Sequence, residues 1–328
     1  MPVSIKEVAR EAGVSVATVS RVLGKGPVSD ALRARVERAI EITGYRPNLS
    51  ARRLRSRRSQ TIGLVVSDIR NSFFTSVSRA VEDAAYEAGW RVILCNTDEN
   101  PDKEAMYLRL MQEERVTGLI FAPTRDTASR QDLDALGFPV VLIDRAGPAT
   151  GVDAVLLDNA RASAMLVDHL VDAGYRRIGG IFGKTSTTGQ ERRDGFAAAM
   201  ALHGLPCETK FILPQAPAAE DSVGVWLDSA DRPDAIVASN GQLLLGAFRA
   251  ARRRGVALPG GVALAGFDNE GWTEVVSPGL TVIEQPVLDI GRTAMSLLVE
   301  RLADAGISPR KVVFPGRLLI RGSTAGKR

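Results

Sequence analysis

Two groups of residues in this chain have types and spacings that could do chemistry. The first is Ser15, Val16, Ala17, Thr18, Ser20 and Arg21. Carried on one helix, they present small groups, hydroxyls and a single guanidinium. That surface suits the major groove of double-stranded DNA, where an arginine reads guanine and apolar groups meet thymine methyls. The second group closes a series of short apolar runs: Asp68, Asp98, Asp144, Asp158, Gly183, Asn240 and Asp268. Carboxylates there could act as acids or bases, but no partner constellation accompanies them. They read more simply as hydrogen-bond acceptors for ligand hydroxyls. GGIFGKT (179–185) invites a phosphate-loop reading, yet the glycine needed six positions before Lys184 is an isoleucine. The chain has no GxGxxG, CxxC, HExxH or nucleophile elbow. These residues point to binding rather than catalysis, with no cofactor and no metal.

The first group needs a scaffold, and residues 5–23, IKEVAREAGVSVATVSRVL, supply one. Val8, Ala12, Val14, Val19 and Val22 can share a small core, with Ala9 small where two helices cross. Gly13 can take the positive φ of a tight turn, and Ser15 is placed to cap the second helix. A third helix is expected over 30–43, capped by Ser29-Asp30, closed on Val36, Ala39 and Ile40, and ended by Gly44. Residues 1–60 hold 13 Lys/Arg against 5 Asp/Glu, while the whole chain is only +4. A basic head on a mildly acidic body suggests a polyanion-binding module. In GYRPNLSARRLRSRRSQT (44–61), Pro47 and Asn48 can start a short helix holding Leu54 among Arg52, Arg53, Arg55, Arg57 and Arg58. So short and like-charged a helix is marginal in water and would fold when phosphates neutralise it.

The second group needs a sheet. From Thr61, strand-like runs at 61–68, 91–98, 118–123, 139–144, 154–158, 177–183, 235–239, 262–267 and 281–285 alternate with helix-length segments at 74–89, 101–114, 159–174, 190–203, 219–230 and 240–255. That alternation predicts an α/β body of parallel sheets covered by helices, with ligands at the carboxyl ends of the strands. The length allows a small head and a body that divides again. Cys95 and Cys207 have no partner motif and are expected as reduced, packed thiols. His169 and His203 each stand alone. No apolar run suggests a signal or a membrane span, so a cytoplasmic protein without membrane contact is expected.

Over nearly its whole length the chain resembles the LacI/GalR family of bacterial transcriptional regulators. The marks are IKEVAREAGVSVATVSRVL, GYRPNLSARRLRS, TIGLVVSDIRNSFF, RVTGLIF, LIDR, LLDN, GYRRIGGI, ERRDGF, LAGFDN, PGLTVIEQP and RLLIRGST. The resemblance implies a helix-turn-helix domain (1–46), a hinge helix or linker (47–60) and a two-lobed, periplasmic-binding-protein-like body (61–328). The N-lobe would hold about 61–159 and 290–316, and the C-lobe about 160–285 and 317–328, with crossings near 159–161, 285–290 and 315–318. It also implies a homodimer on a pseudo-palindromic operator and a small, sugar-like effector.

Position by position, Val16, Ala17 and Arg21 would reach base edges, and Thr18 and Ser20 phosphate. Leu54 would wedge into the minor groove beside Ala51, with Arg52 and Arg55 on phosphates. Ser15 and Asn48 belong to the same DNA-facing set. Phe73 and Phe74 would meet the effector, and Arg192 would grip it. Asp144, Asp158, Thr188, Asn240, Asp268 and Gln285 would surround the cleft. Trp272 either stacks on a sugar ring or packs between the lobes or at the surface. The chain departs from the family twice: Asn240-Gly241 stands where many members read Asn-Asp, and GKTSTTG (183–189) lacks a frequent proline. The competing classes are a transport solute-binding protein, disfavoured by the basic head, and a sugar-acting enzyme with a DNA-binding appendage, disfavoured by the failed phosphate loop.

Overall fold

A computed structural model describes residues 3–23, 26–45, 60–125, 133–147 and 151–326. The chain forms two compact units, Met1–Ser59 and Gln60–Arg328. The expected roles of Asn48, Ala51, Arg52, Leu54 and Arg55 fall outside the described residues.

In the first unit, α1 (Ile5–Glu11), α2 (Val16–Leu23) and α3 (Asp30–Thr43) close on Val8, Ala9, Ala12, Val19, Val22, Val36 and Ala39. Ser4 and Glu7 form a capping box that starts α1. Gly13 has φ +59°, so an alanine there would be strained. The Arg35 Nη2 of α3 donates to the Ala12 carbonyl at 2.8 Å and fixes that turn to the third helix. Gly44, at φ +63°, ends α3.

The second unit is built on two six-stranded sheets. The strands of the first are β1 (Thr61–Val66), β2 (Arg91–Asn96), β3 (Leu119–Phe121), β4 (Val140–Ile143), β5 (Asp153–Leu157) and β11 (Lys311–Phe314), in the order β11-β5-β4-β3-β1-β2 and all parallel. Those of the second are β6 (Ile178–Gly183), β7 (Glu208–Ile212), β8 (Ala235–Ala238), β9 (Ala263–Phe267), β10 (Thr281–Glu284) and β12 (Arg317–Leu319), in the order β12-β10-β9-β8-β6-β7. Only β12 in that sheet runs antiparallel to its neighbour. The chain passes between the sheets after β5, after β10 and after β11.

The helices α4 (Ser72–Glu87), α5 (Pro101–Glu113) and α11 (Val287–Ala303) cover the first sheet. The second is covered by α6 (Asn159–Asp172), α7 (Thr187–Leu202), α8 (Ala216–Leu227) and α9 (Gly241–Arg253), with a short α10 (Gly271–Val275). Parallel strands buried on both faces need apolar side chains throughout, which is why β1 and β4 are buried along their whole length. The two thiols differ: Cys95 is buried, whereas Cys207 is exposed, at the turn into the edge strand β7 where little covers it.

Candidate functional site

The site lies where the carboxyl ends of the two sheets face each other. Phe73 and Phe74 follow β1 and start α4, held by the Asn71 Oδ1, which accepts from the Phe73 amide at 3.1 Å. Their rings meet edge to face, 5.1 Å apart, and are at once core and cleft wall. Asp144 follows β4 and Arg145 comes next. Thr188 and Arg192 sit in the first turns of α7, which approaches β6 so closely that a Cβ on Gly189 would lie 2.1 Å from the Gly183 carbonyl oxygen. Gly195 lets the same helix press on α6, where a Cβ would come 2.5 Å from the Ala160 Cα. Asn240 caps α9 through its Oδ1, which accepts from the Leu243 amide at 2.8 Å.

Phe73, Phe74, Asp144, Thr188, Arg192, Asn240 and Gln285 all line this cleft. Asp268 stands directly behind Gln285: its Oδ1 accepts from Gln285 Nε2 at 2.7 Å and its Oδ2 from the Gly241 amide at 2.9 Å. Two expected residues are elsewhere. Asp158 points at its own helix and caps α6 by accepting from the Arg161 amide. Trp272 packs beside Phe248, with ring centroids 5.9 Å apart, and donates to Glu270 Oε2 at 3.0 Å.

Asp68, one of the strand-end carboxylates singled out in the sequence, also lines the cleft, together with Asn71, Glu99, Arg145 and Ser239, which sequence reasoning passed over. Arg145 is buried, and each of its three nitrogens bonds a carboxylate. Its Nη1 and Nη2 donate to the two Glu99 carboxylate oxygens at 2.9 and 3.0 Å, and its Nε to Asp144 Oδ2 at 2.9 Å. Burial alone would weaken its protonation, but Glu99 and Asp144 outweigh that and raise its pKa above the ordinary arginine value. Arg192 is equally buried but has no carboxylate in contact among the described residues. Its Nε donates to Asn159 Oδ1 at 2.8 Å, its Nη1 to the Ser239 carbonyl at 2.5 Å, and its guanidinium lies 4.0 Å over the Phe267 ring. Burial pulls its pKa down, partly opposed by Asp268 and Asp144. The motif LIDR held the one available signal for Arg145, an arginine directly after a strand-end aspartate.

Asp98, Glu99, Asp144 and Asp268 all have positive φ, between 54° and 78°. Non-glycine residues pay for that conformation, and it concentrates where side chains must be aimed. Asp98 is fastened by Lys103 Nζ at 2.5 Å and Asn96 Nδ2 at 2.8 Å, and the Lys103 bond chiefly lowers its pKa. Across the cleft, Thr188 Oγ1 donates to Asp144 Oδ2 at 3.3 Å and Gln242 Nε2 to the Arg70 carbonyl at 2.9 Å, joining the lobes.

In the first unit, Ser15, Val16, Ala17 and Arg21 are exposed, while Thr18 and Ser20 are half-buried. Ser15 Oγ accepts from the Thr18 amide at 3.1 Å and lies 2.9 Å from Thr18 Oγ1, so it caps α2. Val19 and Val22 face inward on the same helix.

Residues 4–48 match the family described as bacterial regulatory proteins, lacI family, and 167–324 match a periplasmic binding protein-like domain. The HTH-type transcriptional regulator DegA of Bacillus subtilis (strain 168) is 33% identical over 99% of this chain and 99% of its own length. The chain belongs to the LacI family. It is a transcriptional regulator with a helix-turn-helix unit and a periplasmic-binding-protein-like body, and the curated LacI-family relatives are regulators rather than enzymes. The lac repressor dimer bound to operator and the anti-inducer ONPF shares the fold, with a TM-score of 0.86 at 23% identity over 99% of this chain and all of that one. A LacI-family regulator from Enterococcus faecium with bound ribose is 27% identical, with a TM-score of 0.74 over 82% of this chain and all of its own. No helix among the described residues is long and apolar enough to cross a membrane.

Proposed function

We propose that this LacI-family chain is a homodimeric, cytoplasmic repressor that binds a pseudo-palindromic operator and changes its operator affinity when a sugar-like effector enters the cleft. Val16, Ala17 and Arg21 read bases, Thr18 and Ser20 hold phosphate, Ser15 presents the helix, and Leu54 kinks the operator centre. Residues 47–60 couple the head to the body. The cleft residues Phe73, Phe74, Asp144, Thr188, Arg192, Asn240 and Gln285, with Asp268 behind them, hold the effector.

The observation that carries the reading is Arg192. It is a buried guanidinium with no carboxylate in contact among the described residues, and Phe267 and two neutral acceptors hold it at the cleft. A cation is kept there at a cost that a ligand oxygen can offset. The ribose bound to the Enterococcus faecium relative and the operator bound to the lac repressor dimer support the two halves of the proposal.

The test is operator affinity by fluorescence anisotropy. The operator is chosen by selection from random duplexes, and affinity is read with and without D-ribose and a panel of other sugars. A sugar-dependent change of operator affinity in the wild type, absent in Arg192→Ala, is expected. No selected site, or a full response in the variant, would overturn it.

A further inference from the structure

Resting on that reading, we infer that Glu99 is a charge-selectivity determinant: by neutralising Arg145 it makes the cleft accept uncharged polyhydroxy ligands and reject carboxylated or phosphorylated ones. Three carboxylates (Asp68, Glu99, Asp144) line the cleft against two guanidinium groups (Arg145, Arg192), and Asp268 stands behind. The charge of Arg145 is already matched, since Glu99 accepts one N–H each from Nη1 and Nη2 and Asp144 accepts from Nε, so its two remaining N–H groups offer a ligand hydrogen bonds without an uncompensated positive charge. Arg70 does not redress the balance, because it is spent on Asp68 through Nε at 2.8 Å and Nη2 at 3.1 Å.

The groups left over alternate in kind. Arg192 Nη2, Asn71 Nδ2 and Asn240 Nδ2 are donors that make no hydrogen bond to a described residue. Asp144 Oδ1 is an acceptor in the same state, and Gln285 Oε1 is a buried acceptor without a partner. A hydroxyl both donates and accepts, so a polyol can serve both kinds. A carboxylate or phosphate only accepts. It would satisfy Arg192 but leave Asp144 and Gln285 facing a like partner in a desolvated site. Glu99 reaches Arg145 from a loop in which both it and Asp98 have positive φ. Asp98 is tied down by Lys103 and Asn96, so the loop is built to hold that carboxylate in place.

The test uses the full chain and matched compounds: D-ribose with D-ribose 5-phosphate and D-ribonate, and D-glucose with its 6-phosphate and D-gluconate. Binding is measured by calorimetry after a thermal-shift screen. At least one uncharged sugar should bind, and its anionic counterparts should bind at least about 100-fold more weakly, as juxtaposed like charges require. Glu99→Gln removes the charge and keeps one of the two hydrogen bonds to Arg145, because the amide nitrogen cannot accept the other. It should narrow that ratio by about 10-fold or more by freeing Arg145 for the anion. Asp144→Asn gives a second route to the same change if the first variant does not fold. No stabilisation by any uncharged sugar, an anion bound as well as its neutral partner, or an unchanged ratio in the variants overturns the inference. Operator affinity of the ligand-free protein, measured alongside, tests the regulator reading separately. Its loss would break that reading and leave the charge preference of the cleft standing.

Discussion

The two walls of the cleft each bury an arginine, and they treat it in opposite ways. On the first lobe, Arg145 is locked between Glu99 and Asp144, each of its three nitrogens bonded to a carboxylate and its charge matched. On the second, Arg192 rests on an aromatic ring and two neutral oxygens, with one nitrogen uncommitted among the described residues. A charge-matched ion cluster is a frame: it fixes geometry and offers a newcomer little net charge. An arginine held by neutral groups keeps its charge available at the cost of desolvation. The difference assigns shape to one wall and grip to the other.

The largest effect expected from breaking this contrast is on stability. Arg145→Ala strands Glu99 and Asp144 in a buried site and should cost about 3–5 kcal/mol by chemical denaturation, far beyond an arginine of the surface. A loss under about 1 kcal/mol would mean that the cluster is not a frame. Arg192→Ala removes a charged donor and should weaken effector binding by about 2–3 kcal/mol in calorimetry, while ligand-free operator binding stays near wild type. The head offers a contrast outside the cleft. Arg21→Ala should cost about 1–3 kcal/mol on the selected operator and much less on random duplex, read by anisotropy at fixed salt. Equal losses on both would make Arg21 a phosphate contact. Across the lobes, Thr188→Val removes the bond to Asp144 and should cost about 0.5–1.5 kcal/mol of effector affinity.

The smallest effect concerns pH. Burial, helped by Asp268, raises the Glu270 pKa, against the opposing Ser72 and Trp272. A carboxyl with a raised folded pKa binds its proton more tightly when folded. Its ionisation therefore lowers stability as pH rises from the unfolded towards the folded pKa, and the cost persists above. Glu270→Gln should raise the melting temperature at pH 8 relative to wild type, and the gain should vanish near pH 4. An equal gain at both values would assign it to something other than ionisation.

The sequence made the inner strands legible because burial on both faces leaves continuous apolar runs, as in TIGLVV of β1 and VVLI of β4. The apolar runs do not mark the strands β7, β11 and β12, and a final strand beyond 317 is expected only from the family resemblance. All three lie at sheet edges, and ETKFI, KVVF and RLL are part exposed and carry charge. Helix α11 escaped notice for a different reason. Its Gly291 reads as a breaker, yet it is where the helix presses on α4, since a Cβ would lie 2.6 Å from that of Ala80. The strand-end rule brought Asp144, Asn240 and Asp268 to the site but overreached at Asp158, where a strand runs straight into a helix and the carboxylate is used as its cap. Glu99 and Arg145 are 46 residues apart, and their pairing is a property of neighbouring loops rather than of any local pattern.

The unequal exposure of the two thiols makes the chain a ready optical sensor. A maleimide dye should attach at Cys207 and spare the buried Cys95. The reporter then rides on the lobe that carries Arg192, outside the cleft lining, without any engineered background. A second cysteine placed on α5 would supply the other half of an energy-transfer pair, and the approach of the lobes could be followed in real time as ligand is mixed in.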